Sequence, residues 1–321
     1  MPVIDGVGQS DNTFLKQDTL RDLFSTHIKV SKGVFRKAKL YRMKSKYLYV
    51  DLNAGSGEYN NIQGSPLVFI QTYNNSKTKK PYLAQLCEID TQSAESLRYT
   101  CKQLMTVVKE ENTDETRTCI LESSSGDILK IINRDNRMWV NDTIHNLSDD
   151  QGLQYMGMIY SDPNGCETFE NLRKLSNIKA LRMVDIVMHI SGTTIKRVCC
   201  SNPNATRLID GINSINKKYW WVRQPYGPFQ WTFIIGTNWY DFPNLETCGF
   251  YRTDSTEGQR ILNFISHTRK EMEQLFPQKN IRPMVNTSNT RLLKHLEKLS
   301  LKEQTDFVRI ARLPEQLKFI T

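Results

Sequence analysis

The chain has 321 residues, 39% of them hydrophobic, and a formal net charge of +9. That length fits one large or two modest globular domains, and the lack of an apolar run near about 18 residues argues against a membrane-spanning helix. With neither a signal peptide nor a transit pattern at the N-terminus, a cytoplasmic location is expected; the seven cysteines suit it, having no Cys-x-x-Cys couplet or metal-site spacing.

A basic run comes first in chain order. Residues 29–46 hold Lys29, Lys32, Arg36, Lys37, Lys39, Arg42, Lys44 and Lys46 and no acid. Spacings of three and four place several of them on one helical face, while Val30, Val34, Phe35 and Leu40 turn inward. A nucleic acid suits such a face beside a ligand crevice, because phosphate contacts release counterions; Lys37, Lys39 and Arg42 are the residues expected to make them. A solvated basic face without a partner has the same pattern.

Next, Tyr47-Leu48-Tyr49-Val50 reads as a buried strand that stops at Asp51 and breaks into Asn53, Gly55 and Gly57. An acid and a glycine turn at the tip of a parallel strand open the nucleoside crevice of doubly wound sheets. No Gly-Lys-Ser/Thr follows, which argues against a phosphate-binding P-loop, and the third glycine of the dinucleotide fingerprint is missing near Asn60. What remains, strand–Asp–x–x–x–Gly–x–Gly, has the form of the first motif of S-adenosylmethionine-dependent methyltransferases. A glycine turn made for purely structural reasons reads the same way.

Residues 82–87 form a second expected strand, ending at Glu88, a carboxylate placed for the two ribose hydroxyls of an adenosyl ligand. Asp90 is the rival for that role, and the polar stretch 74–80 accounts for a spacing longer than the usual one. Residues 118–121 read as a third strand leading to Asp127, aimed at the adenine amino group, and Ile128, aimed at its ring. Singly, each acid is more often a helix cap or a solvated loop residue, whereas three at successive strand ends in this order point to a ligand. A fourth strand over 156–160 closes in Ser161-Asp162-Pro163-Asn164-Gly165. Amino-group methyltransferases of nucleic acids carry Asp/Asn/Ser-Pro-Pro-Tyr/Phe here, where the acid and a backbone carbonyl accept from the target amine and the ring stacks on the extruded base. Asp162 and Pro163 keep the amine acceptor; the ring is missing. A plain Asp-Pro-Asn-Gly turn is the alternative. Cys166 follows Gly165 rather than a proline, which argues against a cytosine-C5 nucleophile. A fifth strand spans 184–190.

In this order the motifs resemble those of the three-Cys-motif partner proteins, a bacterial and phage-associated family with a methyltransferase-like fold. The resemblance covers the N-terminal two-thirds: the basic helix, YLYVDLNAGSGEY with Gly64-Ser65-Pro66, LCEID at residues 86–90, SDPNG at 161–165, and the strand carrying Met188 and His189. Asn53 and Ser56 depart from the family's first motif, and Asn164 replaces an aromatic in its fourth. The resemblance implies the fold and supplies no substrate.

Beyond the expected core, Tyr219, Trp220, Trp221, Tyr226, Phe229, Trp231, Trp239 and Tyr240 crowd together. They read either as a late hairpin packed on the sheet or as a stacking platform for unpaired bases. The stretch 254–257 has capping-box spacing before a helix through Ile261, Leu262, Ile265 and Met272. Residues 276–290 read as a linker, with further helices over 292–320 as a helical cap, a dimer arm or a small helix-turn-helix reader. The expectation is thus an α/β doubly wound, Rossmann-like methyltransferase sheet over residues 1–250 with a helical C-terminal extension over 251–321. Its expected activity is metal-free methyl transfer from S-adenosylmethionine to an exocyclic amine of a nucleic-acid base. Asp51, Asn53, Gly55, Gly57, Glu88, Asp127 and Ile128 are expected to bind the cofactor, and Asp162 and Pro163 to serve the reaction. The alternative is a non-catalytic subunit of a defence or mobile-element system that binds nucleic acid or a protein partner.

Overall fold

The tyrosine-rich run 47–50 becomes the middle of a ten-stranded sheet. The computed structural model describes residues 13–40, 45–59, 62–76, 78, 80–113, 117–148, 154–163, 168–202, 204–227, 229–240, 242, 244–268 and 270–272. In chain order the elements are α1 (Thr13–Leu40), β1 (Ser45–Asp51), β2 (Glu58–Tyr59), β3 (Ile62–Gln63), α2 (Ser65–Asn75), β4 (Tyr82–Glu88), α3 (Thr91–Leu104) and β5 (Val107–Thr113). There follow β6 (Thr118–Ser123), β7 (Ile128–Asn133), α4 (Asn136–Ser148), β8 (Gln154–Ser161), α5 (Thr168–Ser176), β9 (Val184–Ser191) and α6 (Gly192–Ser201). The series closes with α7 (Leu208–Ser214), β10 (Tyr219–Arg223), β11 (Trp231–Thr237), β12 (Phe250–Arg252) and α8 (Thr256–Ser266).

The strand order is β12-β10-β11-β9-β8-β1-β4-β7-β6-β5. The five strands from β9 to β7 run parallel, and antiparallel strands complete both flanks. This is a doubly wound α/β fold. Because β4 and β8 flank β1 on opposite sides, the chain reverses its direction of travel at β1, and a crevice opens there beyond the strand ends. Both faces of β1 are buried: Tyr47 and Tyr49 on one, Leu48 and Val50 on the other, as a central parallel strand requires.

Helix α1 covers the tyrosine face. Leu20, Leu23, Phe24, Ile28 and Phe35 recur at helical spacing and are all buried, and the Phe24 ring meets Tyr49 at 5.4 Å and Phe69 of α2 at 5.5 Å. The helix begins well before the basic run, and its length carries it from one end of the parallel strands to the other. Lys16 pairs with Asp162, beyond the end of β8. Lys32 donates to the Ser76 carbonyl past the end of α2, and Lys80, just ahead of β4, lies over Phe35.

The structure departs from the sequence expectation at two places. The run 118–121 is the antiparallel strand β6, and the parallel third strand is β7; Ser124 to Gly126 make the hairpin turn between them. The helix at 256 is capped by Ser255, whose Oγ accepts from the Gly258 N–H, while Glu257 pairs with Arg260 instead of closing a capping box. The late aromatics do form a hairpin, β10–β11, with Trp221 and Phe233 buried in the core. Two compact units divide the chain, Met1–Met272 and Glu273–Thr321; β12 and α8 belong to the first. The linker and helices expected over 276–320 lie outside the described residues. Among the described residues no helix is long and apolar enough to cross a membrane.

Candidate functional site

The tips of β1, β4 and β8 are drawn together by side-chain hydrogen bonds. Asp51, at the end of β1, accepts from the Tyr49 hydroxyl at 2.8 Å, the Ser65 hydroxyl at 2.6 Å and the Asn53 N–H at 3.1 Å. It is 0% exposed, and burial pushes its carboxyl up to about 6 against those three hydrogen bonds. Asp51 is therefore an internal clamp on the glycine turn, out of reach of a ligand.

Glu88, at the end of β4, receives the Gly55 N–H on Oε2 at 2.7 Å and the Asp90 N–H on Oε1 at 2.8 Å. Each oxygen retains a second lone pair. Asp90 caps α3, accepting from the Ser93 N–H at 2.7 Å, and this hydrogen bond holds its carboxyl below the ordinary value. That commitment separates it from Glu88. Both glycines of the turn have positive φ, +65° at Gly55 and +82° at Gly57, where a side chain strains the backbone. They differ in surroundings. A Cβ at Gly55 would meet nothing within 4 Å, whereas one at Gly57 would lie 2.7 Å from Leu97 Cδ1. Gly57 serves the packing of α3, and only Gly55 has open space above it.

Asn53 bridges the switch point. Its Oδ1 accepts from the Asp162 N–H at 3.2 Å and lies 3.4 Å from the donating Ser161 hydroxyl, tying the loop after β1 to the loop after β8. From the third side, Asn136 at the start of α4 donates to the Leu52 carbonyl at 2.8 Å, and Asn133 donates to the carbonyls of Glu88 and Ile89.

Asp162 carries the densest electrostatics. The Lys16 ammonium binds its Oδ2, and His189 Nδ1 lies 2.8 Å from its Oδ1. Burial alone would raise this carboxyl, but the Lys16 charge and the His189 contact outweigh it and hold Asp162 well below the usual carboxylate range. Burial pushes the His189 imidazole down, against the pull of Asp162. A neutral imidazole has one donor and one acceptor nitrogen, and an ionised Asp162 only accepts, so Nδ1–H donates to it. Nε2 then accepts from the Tyr226 hydroxyl at 2.8 Å. Trp231 stacks on the imidazole at 4.9 Å and 7°, and Phe233 sits 4.6 Å away. Pro163 follows half-buried; Asn164 and Gly165 lie outside the described residues.

The structure thus gathers Asp51, Asn53, Gly55, Glu88 and Asp162, and leaves other expected residues elsewhere. Asp127 and Ile128 stand at the start of β7, so they belong to the opposite end of the parallel strands, where Asp127 accepts from the N–H of Tyr82, the first residue of β4. The expected loop after a parallel strand is the turn of the β6–β7 hairpin. Lys37 and Lys39 lie on the far half of α1, about 30 Å along the helix from Lys16 at 1.5 Å per residue; Arg42 lies outside the described residues. The sequence reading missed Lys16 and Tyr226 as site residues, and placed His189 only on a strand. It also missed Ile89, an apolar side chain 67% exposed beside Glu88, which the Glu–Ile–Asp spelling at a strand tip signals.

For an adenosyl ligand the donor set is suitable: a carboxylate with free lone pairs at Glu88, open space over Gly55, and an exposed apolar surface at Ile89.

No protein-family model matches the chain, and no curated protein matches it. Among solved structures, protein LPL1258 from Legionella pneumophila is similar at 11% identity, covering 79% of this chain and 92% of that one with a TM-score of 0.39. Trm1 from Pyrococcus horikoshii, solved with S-adenosyl-L-methionine, has 12% identity over 95% of this chain and 78% of its own, at 0.45. A putative methyltransferase from Porphyromonas gingivalis has 14% identity over 64% of this chain and 39% of its own, at 0.33. The fold assignment rests on the strand order and its parallel core.

Proposed function

We propose that the crevice binds S-adenosylmethionine and that the protein transfers its methyl group to an exocyclic amine of a nucleic-acid base. The observation that carries this reading is the joining of three strand tips at the switch point, through Glu88 to Gly55 and through Asn53 to Asp162. Glu88 holds the ribose, the Gly55 backbone leaves room for the ligand, and Ile89 flanks the base. The bound sulfonium supplies an electrophilic methyl group. Asp162 accepts a hydrogen bond from the acceptor nitrogen and aligns its lone pair for in-line displacement. The nitrogen–carbon bond forms as the sulfur–carbon bond breaks, and the nitrogen's surplus proton passes to solvent; alignment is the main contribution of such a site. The +9 charge and the basic half of α1 support a polyanionic acceptor. Membership of the three-Cys-motif partner family rests on the motif residues alone.

A specific observation favours a second reading, a binding module without chemistry: both Asp162 oxygens are already engaged. Calorimetry and isotope transfer separate the two. The wild type binds S-adenosylmethionine, and Glu88→Ala weakens that binding by about 1–3 kcal/mol. With labelled cofactor and pools of DNA, RNA and lysate, Asp162→Ala keeps the cofactor affinity and cuts transfer at least a hundredfold, about 3 kcal/mol. Absence of cofactor binding to folded protein sinks the methyltransferase reading, and binding without any labelling selects the module.

A further inference from the structure

We propose that Lys16 is the resident occupant of the acceptor-amine position, so that α1 closes the site until an incoming amine displaces its ammonium. The inference rests on the reading of Asp162 as the acceptor's partner. It follows from the asymmetry of the two carboxylate oxygens. Oδ1 faces inward to His189, whose ring is fixed by Tyr226, Trp231 and Phe233. Those partners are built into β9, β11 and the bridge between Tyr226 and Trp231, and none of them can leave without opening the core. Oδ2 faces Lys16, at the end of a flexible stem in the first turn of α1, and both side chains of this pair are 22% exposed. Only the Oδ2 position is exchangeable. What holds it is an N–H donor, and the acceptor amine would offer the same kind of hydrogen bond.

The arrangement also accounts for the two engaged oxygens that favour a binding module: one contact is structural and the other is a plug. A plug of this kind selects chemically. A ligand that donates N–H replaces what the Asp162 carboxylate loses, whereas a carbonyl or an ether has no N–H to donate and leaves the carboxylate without compensation.

The experiment compares two substitutions that move in opposite directions. Lys16→Met frees Oδ2 and is expected to raise methyl transfer to a bulk RNA or DNA pool about tenfold, leaving S-adenosylmethionine affinity by calorimetry as in the wild type. Lys16→Arg offers a two-pronged guanidinium that grips the carboxylate more firmly, and transfer is expected to fall about tenfold. A merely structural ion pair predicts the reverse order, with Met impaired and Arg tolerated; that outcome overturns the proposal. A second readout needs neither variant nor turnover. In 15N-labelled wild type, the Lys16 ammonium should be slowed in exchange with solvent, and addition of the nucleic-acid pool should release it. Release without cofactor binding supports the plug while removing the methyltransferase reading. An ammonium that stays protected after the pool has bound overturns the plug, whatever the cofactor does.

Discussion

Two histidines on the same face of the sheet are held in nearly the same way. His189 lies between the Asp162 carboxylate and the Tyr226 hydroxyl, and His27 of α1 lies between the Asp185 carboxylate and the Tyr47 hydroxyl. The settings differ. Asp185 is 1% exposed, and the ammonium that interacts with it, Lys217, is locked by the carbonyls of Leu181, Arg182 and Val184; burial pushes that ammonium down to about 8. Asp162 sits at a strand tip, and its cation arrives on a free stem. One triad ties a helix to a sheet, and the other is built to exchange a partner. An Asp–His–Tyr constellation is therefore no sign of chemistry by itself; what matters is whether the carboxylate end opens toward a ligand.

The comparison breaks most visibly at His27. His27→Leu leaves a buried carboxyl and a buried phenol without their shared partner, and chemical denaturation should show a loss of about 3 kcal/mol with cofactor affinity unchanged in the folded fraction. A loss below about 1 kcal/mol contradicts a structural role.

Asp51 sharpens the contrast through pH. Its carboxyl is raised from 3.8 to about 6, so the fold binds its proton more tightly than the unfolded chain does. The stability it contributes is fully present below about pH 4 and is lost as pH rises through 6, amounting to about 3 kcal/mol at one pKa unit per 1.36 kcal/mol. Asp162, held low, works the other way: its contribution is present above the ordinary carboxylate range and is lost on acidification. Urea melts between pH 4 and 7 should show a descending limb that Asp51→Asn flattens. An unchanged limb in that variant assigns the titration to another group.

The smallest effects come from the phenols. Tyr47→Phe and Tyr226→Phe should each cost about 1 kcal/mol of stability, and only Tyr226→Phe should also slow methyl transfer in the isotope assay. Equal slowing by both removes the distinction drawn between the triads.

Much of the fold was legible in the sequence, because β1, β4, β8 and β9 are apolar runs that stop at polar tips, as buried parallel strands do. The third strand was misread. Thr118–Ser123 and Ile128–Asn133 are both short apolar segments, and a Ser-Ser-Gly turn between such segments is a hairpin signal that outranks the acid following it. At the site, Glu88 and Asn53 follow strand ends and were readable by position. The role of Asp51 was not, since burial by Tyr49 and Ser65 decides whether an acid meets a ligand or a loop. Lys16 and Tyr226 carried no local signal, because only the closed sheet brings them to Asp162.

That closure has a consequence for dissecting the chain. Lys16 and Asp162 are 146 residues apart, and Tyr226 lies 37 beyond His189. Contacts of such separation form late, after most of the loop-closure entropy has been spent. A fragment ending before Tyr219 would keep every strand-tip motif from Asp51 to Asp162, yet its His189 would have lost the hairpin that orients it. The smallest fragment that keeps the His189 setting is therefore set by where the hairpin ends, well past residues 161–165.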